Sequence, residues 1–126
     1  MGKPVRVLLV EDSERDAALL NLYLKRAGFD ATIRRVEKQT EMAVLVKNEA
    51  WDVVISDFNL PGFNAHTALK TVQDSGKRIP FIVLSGEVAK NVIDGILQAG
   101  ASEYVCKYEM AKIATAIERA IQAATA

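Results

Sequence analysis

The sequence predicts an α/β fold, a parallel five-stranded sheet with five helices on its two faces. Apolar runs of strand length alternate with segments of helical spacing five times along the chain. The central runs are continuous rather than alternating, as expected for strands covered on both faces. Gly or Pro-Gly punctuation falls between the segments. Strand–helix alternation of this kind implies right-handed crossovers and a doubly wound sheet.

The first strand, Val5-Arg6-Val7-Leu8-Leu9-Val10, ends at Glu11-Asp12. Ser13 or Asp12 suits the N-cap of the next helix, with Asp16 near its first turn. Leu19, Leu20, Tyr23, Leu24 and Ala27 keep helical spacing there, and Gly28 is a natural stop. A weaker strand, 31–36, precedes a helix over 39–48 that carries Met42, Val44, Leu45 and Val46. The third strand spans 51–57, and Pro61-Gly62 marks a turn. Ala65, Leu69 and Val72 then build a third helix, ended near Ser75-Gly76. The fourth strand is read at 79–84 and its helix at 88–99, stopped by Gly100. A short fifth strand, 103–106, precedes a last helix striped by Met110, Ile113, Ala114, Ile117 and Ile121.

At 126 residues, half of them hydrophobic, the chain is expected to form one domain over 1–126 with a substantial core. The last helix reaches almost to Ala126, so no second domain is expected within these residues, whether they stand alone or belong to a longer protein. Lys plus Arg and Asp plus Glu balance at 16 each, which argues against a general attraction to nucleic acid or anionic membrane. The longest apolar stretches are of strand length, and no apolar signal segment follows Met1. Cys106, the single cysteine, has no internal disulfide partner and reads as a small buried strand residue. A cytoplasmic protein, monomeric or weakly dimeric, is the expectation.

The carboxyl ends of parallel strands open on one edge, and ligands bind there. On that rim the sequence places Glu11 and Asp12 after the first strand and Asp57 after the third. Ser85 ends the fourth and Lys107 the fifth. Three acids, a hydroxyl and an ammonium suit a divalent cation and a phosphoryl group. Singly, each has a blander reading: a solvated cap, a turn serine, a surface lysine. Together the acids are costly, because like charges raise each other's pKa unless a cation offsets them.

The sequence resembles a response-regulator receiver domain of two-component signalling, over essentially the whole chain. The matching stretches are Val10-Glu11-Asp12, Ser56-Asp57-Phe58-Asn59-Leu60-Pro61-Gly62, Leu84-Ser85-Gly86, and Ala99-Gly100-Ala101 with Tyr104-Val105-Cys106-Lys107. Any one is weak; four in order, each at its own strand end, are specific. The resemblance implies a flavodoxin-like sheet of order 2-1-3-4-5, which seats Asp12 beside Asp57. It implies a non-enzymatic switch in which Asp57 accepts a phosphoryl group from a histidine kinase or a histidine phosphotransfer protein. Mg²⁺ would be held by Asp12, Asp57 and the backbone carbonyl of Asn59, with Glu11 acting through water. Lys107 and Ser85 would meet phosphoryl oxygens. Tyr104 would be the switch aromatic, and Asn59 and Glu87 would tune dephosphorylation. The expected downstream partner is a protein of unknown identity, with no nucleic-acid or membrane partner for this chain itself.

One departure stands out: where most of the family has a proline after the lysine, often in a cis bond, this chain has Tyr108. A cis bond without proline costs about 2.5–4 kcal/mol, so Lys107–Tyr108 is expected to be trans on a displaced loop. Two other classes fit less well. A haloacid-dehalogenase-like phosphatase needs a second aspartate two positions on, where Asn59 stands, and a pseudo-receiver would usually have lost some of the acids. His66, the only histidine, argues against a metal cluster or phosphohistidine relay of its own. Arg34-Arg35 and Lys25-Arg26 read as solvated faces.

Overall fold

The computed structural model describes residues 2–60, 62–86 and 88–125. Its main sheet contains β1 (Lys3–Val10), β2 (Phe29–Val36), β3 (Val53–Asp57), β6 (Phe81–Ser85) and β7 (Glu103–Cys106). They are parallel, in the order β2-β1-β3-β6-β7, so the five main strands follow the expected 2-1-3-4-5 order. The helices are α1 (Glu14–Arg26), α2 (Gln39–Asn48), α3 (Ala65–Asp74), α4 (Lys90–Gln98) and α5 (Ile113–Thr125).

Alternation along each strand divides the core in two. Val7, Leu9, Val53, Ile55, Ile82 and Leu84 pack with Leu20 and Leu24 of α1 and Ile113 and Ile117 of α5. Leu8, Val10, Val54 and Val83 face Met42 and Val46 of α2, Leu69 of α3 and Ile96 of α4. The central strands are buried along almost their whole length, whereas the edge strand β2 alternates between covered and exposed positions. This difference explains why β2 gave the weaker sequence signal.

Local chemistry sets the element ends. Ser13 caps α1, its hydroxyl accepting from the Asp16 N–H at 3.1 Å. Gly28 follows with φ 89°, a left-handed value that glycine adopts freely. β2 starts at Phe29, earlier than the pattern indicates, because Phe29 pairs with Lys3. β6 begins at Phe81 rather than Ile79, since Pro80 has no N–H for the ladder. Val88 and Ala89 precede α4 instead of starting it: Ala89 is the N-cap, in an extended conformation. Beyond the expected elements, β4 (Asn59–Leu60) and β5 (Phe63–Asn64) form a small antiparallel pair around the turn read at Pro61-Gly62. Between β7 and α5 the chain makes a 3₁₀ turn, Lys107–Lys112, with Glu109 off helical geometry (φ −124°, ψ 44°). Among the described residues no peptide bond is cis, so Lys107–Tyr108 is trans, as expected.

Candidate phosphoryl and cation site

The strand register builds the site. Val10 pairs with Ser56, which sets Glu11 and Asp12 beside Asp57 as both chains leave the sheet. Leu84 pairs with Asp57 and Ser85 with Cys106, so Ser85 and Lys107 join the same rim. The Glu11 N–H donates to the Val36 carbonyl (3.0 Å) and the Phe58 N–H to that of Leu84 (3.2 Å), which fixes where two of these chains turn away.

Glu11, Asp12 and Asp57 each bring a carboxylate oxygen within 4.8 Å of the others. They form a graded set, with Glu11 buried, Asp57 half-buried and Asp12 exposed. All the donors are hard oxygens, which suits a cation such as Mg²⁺ better than a thiophilic metal.

Lys107 sits in the middle of the acids. Its Nζ donates to Asp16 Oδ2 at 2.7 Å, to Glu11 Oε1 at 2.8 Å and to Asp57 Oδ2 at 3.3 Å. Those bonds use all three N–H groups of the ammonium. Burial pushes the Glu11 carboxyl up to about 7, with the Lys107 bond pulling it down and the Asp57 charge adding to the rise. Burial works against the charge on Lys107, but the bonds to Asp16 and Glu11 and the charge of Asp57 outweigh it and raise its pKa. The cluster stays internally neutralised only in part, which leaves room for a further cation.

Ser85 is buried at the end of β6. The Tyr104 hydroxyl donates to the Gly86 carbonyl at 2.9 Å, tying β7 to the segment that follows Ser85. Burial, with the Cys106 thiol beside it, raises the Tyr104 phenol above its usual range. The exposed Tyr108 ring lies beside Gly86, at 3.8 Å from where a Cβ would stand. Asn59 follows Asp57 by two positions and opens β4. Glu87, read as a tuner of dephosphorylation, lies outside the described residues.

Two members of the site escaped the sequence reading. Asp16 was read as a first-turn charge on a helix, yet it makes the shortest contact to Lys107. Arg35 was read as solvated, yet its Nη1 donates to the Glu11 carbonyl at 3.2 Å and its guanidinium pairs with Glu14 and Glu37. It braces the β1–α1 corner. The signal for Asp16 was its place three residues after the N-cap of a helix that starts on the rim.

Residues 7–118 match the family model described as the response regulator receiver domain. A two-component response regulator of rice, ORR41, is 28% identical over 107 residues, covering 83% of this chain and 84% of its own. Chemotaxis protein CheY-3 of Vibrio cholerae is 26% identical over 109 residues, with 85% and 83% covered. Among solved structures, the receiver domain of the sensor histidine kinase PA1611 from Pseudomonas aeruginosa superposes with a TM-score of 0.78. It is 22% identical, with 97% of this chain and 99% of that one covered, and it holds a magnesium ion in its active-site cleft.

Proposed function

This chain belongs to the response regulator receiver domain family of two-component systems, and we propose that it accepts a phosphoryl group on Asp57 with Mg²⁺ bound beside it. The observation that carries this reading is the meeting of Asp57 with Glu11, Asp12 and Lys107 at one sheet edge.

An Asp57 carboxylate oxygen attacks the phosphorus of a phosphohistidine on a kinase or phosphotransfer protein. The O–P bond forms as the N–P bond breaks, and the histidine nitrogen leaves with the electron pair. Charge spreads over the equatorial oxygens in such a transfer, so positioning and neutralisation are what the protein supplies. Asp12, Asp57 and the Asn59 carbonyl would hold the cation, with Glu11 reaching it through water. Bound there, Mg²⁺ supplies positive charge to the phosphoryl oxygens. Lys107 meets one phosphoryl oxygen as a point charge and the Ser85 hydroxyl donates to another. As Ser85 moves, the Tyr104–Gly86 bond is the element placed to respond, which alters the surface offered to a protein partner. Asn59 and Glu87 tune the return reaction with water. The unit acts as a single cytoplasmic signalling domain rather than as an enzyme on other molecules.

Intact-protein mass spectrometry with Mg²⁺ and a small acyl phosphate tests the assignment. Wild type should gain one phosphoryl mass and Asp57→Asn none; equal modification of that variant would overturn it.

A further inference from the structure

Asp16 belongs to no part of the phosphoryl chemistry described above, yet it makes the shortest bond in the cluster, 2.7 Å from Lys107 against 3.3 Å for Asp57. Resting on the reading of Asp57 as acceptor, we propose that Asp16 is a positioning residue that holds Lys107 back, so that phosphorylation requires Lys107 to exchange Asp16 for a phosphoryl oxygen.

The geometry makes this exchange a real competition. The ammonium has three N–H groups and all three already point at carboxylates. A phosphoryl oxygen gains Lys107 only if one of those bonds yields. Glu11 is 1% exposed and loses most if abandoned, because an unpaired buried carboxylate is strongly disfavoured. Asp57 carries the arriving group and lies on the side to which Lys107 must lean. Asp16 is 30% exposed, so water takes over its carboxylate when Lys107 leaves. Of the two carboxylates that stay unmodified, Asp16 is therefore the one Lys107 leaves more easily. An open crevice of about 500 Å³ between Asp16, Leu19, Gly86, Lys107 and Tyr108 gives room for that movement.

A purely structural role for this carboxylate is separable. The Ser13 hydroxyl caps α1 through the backbone N–H of Asp16, not through its side chain. Asp16→Asn therefore keeps the cap and the shape while removing the charge that competes for Lys107.

Beryllium fluoride, which mimics a phosphoryl group on a carboxylate, is titrated by calorimetry at saturating Mg²⁺. The proteins are wild type, Asp16→Asn, Asp16→Glu and Lys107→Met, plus the Asp16→Asn/Lys107→Met pair. Asp16→Asn should bind the probe up to about five-fold more tightly than wild type, the scale of one partly exposed ion pair. Asp16→Glu, which still reaches Lys107, should return towards wild type, and Asp16→Asn should change nothing once Lys107 is gone. Unchanged or weaker binding by Asp16→Asn overturns the proposal, as does an equal gain in the Lys107→Met background. If wild type neither binds the probe nor gains a phosphoryl mass at Asp57, the acceptor reading itself falls and this inference falls with it.

Discussion

At the carboxyl edge of the sheet, Lys107 donates to three carboxylates, those of Asp16, Glu11 and Asp57. At the amino edge, where α2 ends and β3 begins, Lys77 donates to three main-chain carbonyls, those of Val46, Lys47 and Glu49, at 2.7, 3.1 and 3.2 Å. The donor and the number of bonds are the same. The acceptors differ in kind. At the amino edge they are the last carbonyls of a helix, orphaned by the end of its own ladder, and a cation there also meets the negative end of the helix dipole. At the carboxyl edge they are ionisable groups that repel one another and are held together by the ammonium.

The consequence is a difference in what each region can do. The Lys47 and Glu49 carbonyls, on residues that are not buried, turn to water if Lys77 leaves, and with the carbonyl of buried Val46 they let Lys77 close α2 and bind it to the connection entering β6. Trp51 completes it, its indole N–H donating to the Leu45 carbonyl at 2.9 Å and its ring lying under Arg6 at 4.6 Å. At the rim Asp16 shares that retreat, being 30% exposed, but the buried Glu11 does not. Burial lifts the Glu11 carboxyl to about 7, and Lys107 pulls it down while Asp57 pushes it up. Such a site remains responsive to any added cation or anion, which is the property a switch needs.

The sharpest way to break the comparison is to remove the rim lysine. In chelator, Lys107→Met should lose about 2 kcal/mol, because Glu11 is left without its cation beside Asp57. For a domain of this size that is on the order of 8 °C in melting temperature. Mg²⁺ should narrow the gap to wild type. A loss of equal size with and without Mg²⁺ would show that the lysine is there for packing alone.

A smaller effect separates the acids from one another. Asp12 is the exposed member of the group, so Asp12→Asn should slightly raise stability in chelator by easing the repulsion. It should also remove most of the stabilisation by Mg²⁺, which for wild type at ten times the dissociation constant is roughly 1.4 kcal/mol by mass action. Melting curves in chelator and in Mg²⁺ read both effects. An identical Mg²⁺ shift in the two proteins would exclude Asp12 as a ligand.

Much of this was legible in the chain because strand ends are legible. Continuous apolar runs fix where each strand leaves the sheet, and parallel topology then brings Glu11, Asp12, Asp57, Ser85 and Lys107 to one edge without further information. Asp16 was not legible in the same way. It lies on a helix, where a few degrees of rotation decide which group a side chain meets, and its place near an N-cap already had an adequate electrostatic explanation. Arg35 was hidden because it sits on an edge strand, where a charged side chain is ordinary. The β4–β5 pair was readable as a turn but not as a ladder, since two-residue strands carry no periodicity. Lys77 was invisible because its acceptors are backbone atoms of a helix distant in sequence.

That last residue offers the mildest test and the cleanest control. Lys77→Met removes donors from three neutral carbonyls, two of them on residues that are not buried, so the cost should be about 1 kcal/mol, a helix-end contribution rather than a buried-charge one. The loss should be the same in chelator and in Mg²⁺, because no ionisable group of the rim touches Lys77. Beryllium fluoride affinity should not move either. Trp51 lies beside the disturbed carbonyls, so its fluorescence follows the unfolding directly. A loss as large as that of Lys107→Met, or one that depends on Mg²⁺, would mean that the two edges are energetically coupled through the sheet. The contrast between a structural and a responsive lysine would then have to be abandoned.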